Sequence, residues 1–201
     1  MVKASNIFLC LSFGLLLAPN QKAYGNTEKN PTLLLQTLLH AERYDAAEQL
    51  LTQLDGEPDL IALYQATLHQ QRDGIVVAQE YLKEEIEKSP ETILLREHLA
   101  KLYIQTGKIA AAEELLLQLK QIQPQSLSTV LLQIDILLSH TPQEALDMVL
   151  ATREANAWSL PQQAMLDTRF ISALMKLGLE HTAANYFAEL SSLRQEELLH
   201  N

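Results

Sequence analysis

Cysteine is almost missing from this chain: Cys10 is the only one among 201 residues. A lone thiol excludes a disulfide framework and a thiolate zinc site. Aromatic residues make up only 5%, so the core must come from Leu, Ile and Ala, which favours helices over strands. Glycine and proline are scarce, at six and seven, and most stand where a helix would start or stop. Basic residues are few, 15 against 25 acidic, for a net charge of -10. Nucleic acid and anionic lipid are therefore poor partners, because their phosphates would be repelled. The acidity reads as solubility.

Long apolar runs are also absent, apart from Ile7 to Ala18, which has twelve residues. A bilayer needs about 20. Lys3 precedes this run, and Ala23-Tyr24-Gly25 follows with small residues where a signal peptidase cuts. Residues 1–25 are thus expected to be a secretory signal peptide, cleaved before Asn26. Cys10 lies inside the apolar run behind the large Leu9, which argues against a lipoprotein site.

What is present is helical periodicity, clearest from Ile93 to Ser126. Leu95, Leu99, Leu102 and Tyr103 recur on one helical face, with Arg96, Glu97 and Lys101 opposite. Gly107 ends that helix, since it takes a left-handed backbone without penalty. Ile109, Ala112, Leu115, Leu116 and Leu119 form a second stripe, and Pro124 bars its continuation. Small Ala100 and Ala112 stand where two antiparallel helices would cross closely.

This 34-residue stretch resembles a tetratricopeptide repeat, a helix-turn-helix unit of that period. Ala100, Tyr103, Gly107, Ala112 and Pro124 match the family pattern; Arg96 replaces its usual Trp and Leu119 its usual second small residue. Weaker copies flank it, at about Glu28 to Pro58, Asp59 to Thr92, Ser126 to Ser159, and Leu160 to the end. Each places a small residue at one equivalent spot: Ala47, Ala78, Ala112, Ala145 and Ala183. Asn30-Pro31 is a good helix start, Ser89-Pro90 reads as the cap of the third unit, and Thr141-Pro142-Gln143-Glu144 as a capping box. The resemblance implies an all-α fold, with helix-turn-helix repeats stacked as a short right-handed TPR-like α-solenoid. About five helical hairpins fill residues 26–201.

Catalytic signatures are missing from the sequence. None of the six His forms a two-His pair one turn apart with a Glu, as helical metalloproteases require. There is no Gly-rich phosphate loop and no nucleophile elbow. Adjacent acids such as Glu84-Glu85 and Glu113-Glu114 point roughly 100° apart on a helix, so they are solvated surface charge. The expectation is a protein without enzymatic activity, cofactor or metal.

By resemblance, the partner-binding surface would be the concave face lined by the first helix of each unit. Its candidates are Gln36, His40, Thr67, Gln70, Gln71, Glu97, Lys101 and Gln105, continuing to Asp135, Ser172 and Lys176. This lining is mixed and Gln-rich, without a Lys/Arg clamp for an acidic C-terminus. Trp158 sits in a connection, either as a partner anchor or packed over the gap between two repeats. The stretch from Leu127 to Ser139 is apolar nearly all round, so it is either covered by its neighbours or a docking or dimer seam.

These readings lead to a scaffold for protein–protein interaction, an adaptor or chaperone of envelope or secreted proteins, exported to a bacterial periplasm. The alternative is a structural accessory subunit of a secretion, pilus or outer-membrane assembly machine. Such a subunit would dock through Leu127 to Ser139 and the last unit, with self-association as one form of that contact.

Overall fold

The computed structural model describes residues 31–200, with side chains described for 32–191. The leader expected over residues 1–25 and the Asn30 cap lie outside this range. Ten helices are described: α1 (Pro31–His40), α2 (Tyr44–Thr52), α3 (Pro58–Arg72), α4 (Ile75–Lys88), α5 (Ile93–Gln105), α6 (Ile109–Ile122), α7 (Leu127–His140), α8 (Pro142–Ala155), α9 (Leu160–Lys176) and α10 (Glu180–His200). They form five hairpins, and no strand occurs among the described residues. The chain divides at Asp55 and Gly56 into two compact units. The first holds the α1–α2 hairpin; the second holds the other four.

Within the second unit each hairpin packs on the next, in the manner of a TPR-like α-solenoid. The first helices α3, α5, α7 and α9 also pack against one another in that order. They thus form one continuous face. The expected crossing points are buried: Ala47, Ala78, Ala112 and Ala145 are 0% exposed and Ala183 is 2%. A larger side chain at any of them would push two helix axes apart.

Three of the turns, in the first, third and fifth hairpins, share one backbone device. In the third hairpin Gly107 has φ +71°, and the next amide, on Lys108, donates to the Tyr103 carbonyl at 2.8 Å. This bond spans the left-handed residue and satisfies a carbonyl that the helix end would otherwise leave open. The first hairpin makes the same bond, Arg43 N–H to Leu38 O at 2.9 Å, with Glu42 at φ +55° in glycine's place. No glycine marks that turn in the sequence, yet its geometry is the same.

Two expected caps differ from the structure. The cap of α5 is Thr92, not Ser89-Pro90. Its hydroxyl receives the Leu95 amide at 3.5 Å and donates to the Asp59 carboxylate, which ties the start of α5 to the start of α3. Asp59 lies 33 residues upstream, so this partner is visible only in three dimensions. The capping box at Thr141 to Glu144 is not formed; the Thr141 hydroxyl is buried without a hydrogen bond. A box forms instead at α9, where Gln162 Oε1 receives the Ser159 amide at 3.0 Å and its hydroxyl at 2.9 Å.

Helix α7 is covered. Thr129, Leu131, Leu132, Ile134, Ile136 and Leu138 are buried, and no residue from Leu127 to Leu138 is fully exposed. Its neighbours are α5, α6, α8 and α9. The apolar character all round thus reflects four-sided packing, and the docking seam considered for this stretch is not open.

A buried amide joins the second and third hairpins. Gln79 is 0% exposed. Its Nε2 donates to Leu102 O at 3.0 Å and to Thr106 Oγ1 at 2.9 Å, and its Oε1 receives Lys108 Nζ at 2.7 Å. Three polar atoms, at the end of α5 and in the turn to α6, are thereby engaged from α4.

We expect Gln79→Ala to cost about 1–3 kcal/mol from the lost hydrogen bonds, plus a cavity contribution; urea unfolding monitored by circular dichroism measures it. An unchanged midpoint would show that the amide clamp contributes nothing. The left-handed turns predict opposite signs: Gly107→Ala should cost roughly 1–2 kcal/mol, and Glu42→Gly should leave its hairpin no less stable. Thermal melts of the two variants against wild type check the contrast.

Candidate partner-binding surface

The first-helix face of the second unit carries a ladder of side chains at one repeat position. Thr67, Lys101, Asp135 and Arg169 are 34 residues apart in sequence and lie on α3, α5, α7 and α9. A constant interval on parallel first helices places them in register across the stack. Thr67 is buried, and its hydroxyl donates to Leu63 O within its own helix at 2.9 Å, so it packs inward. Arg169 and Asp135 pair at 2.6 Å, both side chains being largely buried. Lys101 feels Glu97 and Asp135 as attractive charges and Arg169 as a repulsive one, while burial holds its ammonium below the usual lysine range.

Glu97 lies one turn before Lys101 on α5 and is only 8% exposed. Its Oε1 is buried and receives no hydrogen bond among the described residues. Lys101 interacts with Glu97 through charge alone; the two form neither a hydrogen bond nor a close ion pair. Leaving a buried carboxylate oxygen without a donor costs about 1–3 kcal/mol or more. Between these two, His98 also faces inward, with Nε2 buried and unbonded. Burial, and then the Lys101 charge, push its imidazole down to about 4, so it is neutral at pH 7.

The glutamines expected on this face are partly joined to each other. Gln70 Nε2 on α3 donates to Gln105 Oε1 on α5 at 3.3 Å, while Gln70 Oε1 is buried and unbonded. Gln105 is exposed and Gln71 half-buried. Ser172 is half-buried, its hydroxyl donating to Thr168 O at 2.8 Å, and Lys176 is exposed at the end of α9. Gln36, half-buried, and His40, exposed, belong to α1 in the other unit. The structure therefore gathers Gln70, Glu97, Lys101, Gln105 and Asp135 on one face, and adds His98 and Arg169.

Trp158 is half-buried against the core of the fourth and fifth hairpins, beside residues such as Leu131, Val149 and Leu166. Its Nε1 donates to Thr152 O at 2.8 Å, and its carbonyl receives Gln163 Nε2 at 2.9 Å. It closes the connection between these hairpins, which matches the packing role considered for it.

His98 and Arg169 were legible only in part. The 34-residue interval from Asp135 points to Arg169, but nothing in the sequence marks it as that acid's partner. A second cluster went unseen. Asp167, 6% exposed, receives the Tyr186 hydroxyl at 2.6 Å and lies 3.4 Å from Arg153. The Arg153 guanidinium sits 5.3 Å from the centres of both the Phe170 and Tyr186 rings. Burial, and then the Asp167 bond, push the Tyr186 phenol up to about 12. Every member is engaged, so this cluster binds α8, α9 and α10 together.

Elsewhere, an open groove of about 610 Å³ is lined by Glu57, Asp59, Ser89, Pro90, Glu91, Thr92, Ile93 and Leu94. Its most buried carboxylate, Asp59, is already the partner of the Thr92 cap. No group of three or more His, Cys, Asp or Glu is arranged for a metal ion among the described residues. Likewise, no helix among them is long and apolar enough to cross a membrane.

The depressed His98 makes a directional prediction. Between pH 6.5 and about 4 the unfolded chain binds a proton that the folded chain refuses. Its contribution to stability is therefore full above pH 6.5 and is lost as pH falls towards 4. Melting temperature should fall less between pH 7 and pH 4.5 in His98→Gln than in wild type. Parallel slopes would show that the ring is not buried as a neutral group.

No protein-family model matches the chain, and no curated protein matches it either. Among solved structures the chain is similar to MamA of AMB-1, with a TM-score of 0.46 and 17% identity, covering 82% of this chain and 90% of that one. It is also similar to MamA of MSR-1, with a TM-score of 0.47 and 16% identity, covering 83% of this chain and 96% of that one.

Proposed function

We propose that this protein is a non-enzymatic scaffold that holds a segment of another protein on its first-helix face. The observation that carries this reading is the set of buried, unbonded polar atoms there: Gln70 Oε1, Glu97 Oε1, His98 Nε2 and Arg169 Nε. Buried polar groups are nearly always satisfied in folded proteins. Four unsatisfied ones on a single face of stacked first helices suit a face whose side chains turn outward to meet a partner. The Arg153–Asp167 cluster, equally polar, is joined across three helices and serves packing.

The leader-like first 25 residues extend the proposal to an adaptor or chaperone of envelope or secreted proteins, acting in a bacterial periplasm. The reading as a machine subunit relied on two docking surfaces, Leu127 to Ser139 and the last unit. The first of these is covered, which removes one of the two.

A photo-crosslinking residue tests this in the native cells. Placed at Gln105, which is exposed at the end of α5, it should yield a defined adduct with another protein. Placed at Leu117, 62% exposed on the second helix α6, it should yield none. Adducts at Leu117 but not at Gln105 would move the binding surface to the second helices and refute this assignment.

A further inference from the structure

We infer that this protein stacks head to tail on copies of itself, with α1 of one copy lying against α10 of another as the next first helix would. The inference goes beyond the function just proposed and is independent of it. In the second unit each second helix but the last is covered by the first helix that follows: α4 by α5, α6 by α7 and α8 by α9. Helix α10 ends the series. One turn after the crossing alanine, Leu82, Leu116 and Val149 are buried. Phe187 holds the same place on α10 and is 56% exposed. Exposed Ala184 and Ala188 flank it, so another helix can approach this face closely.

The first hairpin carries the matching gap. Leu33 stands five residues before Leu38, whose carbonyl is bonded across the turn; His98 stands five before Tyr103, the matching carbonyl of the third hairpin. Leu132 and Leu166 follow His98 at the 34-residue interval. In the second unit these places are covered: Leu132 and Leu166 are buried, and His98 faces inward. Leu33 is 60% exposed, and Leu34 beside it is 50%. The interior form of the contact exists between the fourth and fifth hairpins, where Val149 and Leu166 belong to one hydrophobic core and are fully buried. Phe187 repeats the place of Val149, and Leu33 repeats that of Leu166. The two exposed side chains are therefore the two halves of one repeat interface, and each repeat buries its apolar surface only against a neighbour. Neither half brings a charge that would have to be desolvated: α1 has no Lys, Arg, Asp or Glu, and Ala184, Ala188 and Ser191 are uncharged. Head and tail are different surfaces, so the contact is heterologous and every bound pair keeps one free head and one free tail.

Analytical ultracentrifugation of the purified full chain tests this. The average mass of wild type should rise with concentration past that of a dimer. Leu33→Asp removes the head and Phe187→Asp the tail. Both side chains are exposed, and circular dichroism melts confirm that each variant folds. If an aspartate variant does not fold, Leu33→Gln or Phe187→Gln replaces it. Each variant alone should stay monomeric, its association weakened by about tenfold or more. An equal mixture of the two should form a dimer and nothing larger, because one keeps a tail and the other a head. Wild type that stays monomeric at every concentration overturns the inference and leaves the first-helix surface untouched. Dimers of either variant alone show an end pairing with its own kind, and overturn it too. So does assembly of both variants at wild-type strength, which places the contact elsewhere.

Discussion

Everything in this fold depends on helices approaching closely at a small residue. The five alanines at the crossing points are all but inaccessible to solvent, and each lies on the second helix of a hairpin. Without a side chain beyond Cβ, the opposing first helix can come near enough for its leucines to interdigitate. That approach lets α3, α5, α7 and α9 reach one another in the second unit. Bulk at a single crossing would loosen a hairpin and also spoil the register of the face on which Lys101, Asp135 and Arg169 meet.

Two kinds of buried polarity result from this packing. Gln79 is enclosed with both polar atoms bonded, and Asp167 is enclosed with its Oδ1 held by Tyr186 and Arg153, so each fixes how neighbouring helices sit. Enclosed polar groups of this kind are useful only when complete, because each missing partner costs more than a present one contributes. The first-helix face follows the other pattern. It is internally compensated in charge, Asp135 to Arg169, but leaves a carboxylate oxygen, a carboxamide oxygen and an imidazole nitrogen unbonded. Of the six buried, unbonded side-chain atoms among the described residues, four lie on this side.

The turn geometry shows how such a fold tolerates sequence variation. Gly107 and Glu42 occupy the same left-handed place in two hairpins, and the bond across each is nearly identical in length. Glycine makes this backbone easy, but packing of the paired helices holds it without glycine. Repeat signals therefore fade in sequence faster than in structure. The first hairpin, with no glycine in its turn, matches the repeat pattern less fully than the third yet turns in the same way.

The sequence alone determined the class of the fold and the residues at which helices cross. These follow from local physics: apolar spacing near 3.6 residues, glycine and proline at the ends, and alanine where bulk would not fit. It also marked Glu97, Lys101 and the glutamines as residues of the first helices. Tertiary structure decided what those side chains do. Whether Thr67 projects or packs, whether Thr92 rather than Ser89 caps α5, and whether the apolar α7 is covered all depend on neighbours far away in sequence. The same holds for Arg169, which compensates Asp135 from 34 residues away. Hydrogen bonds and charge pairs act across a few ångströms of space, and a linear pattern records which groups are available but not which of them meet.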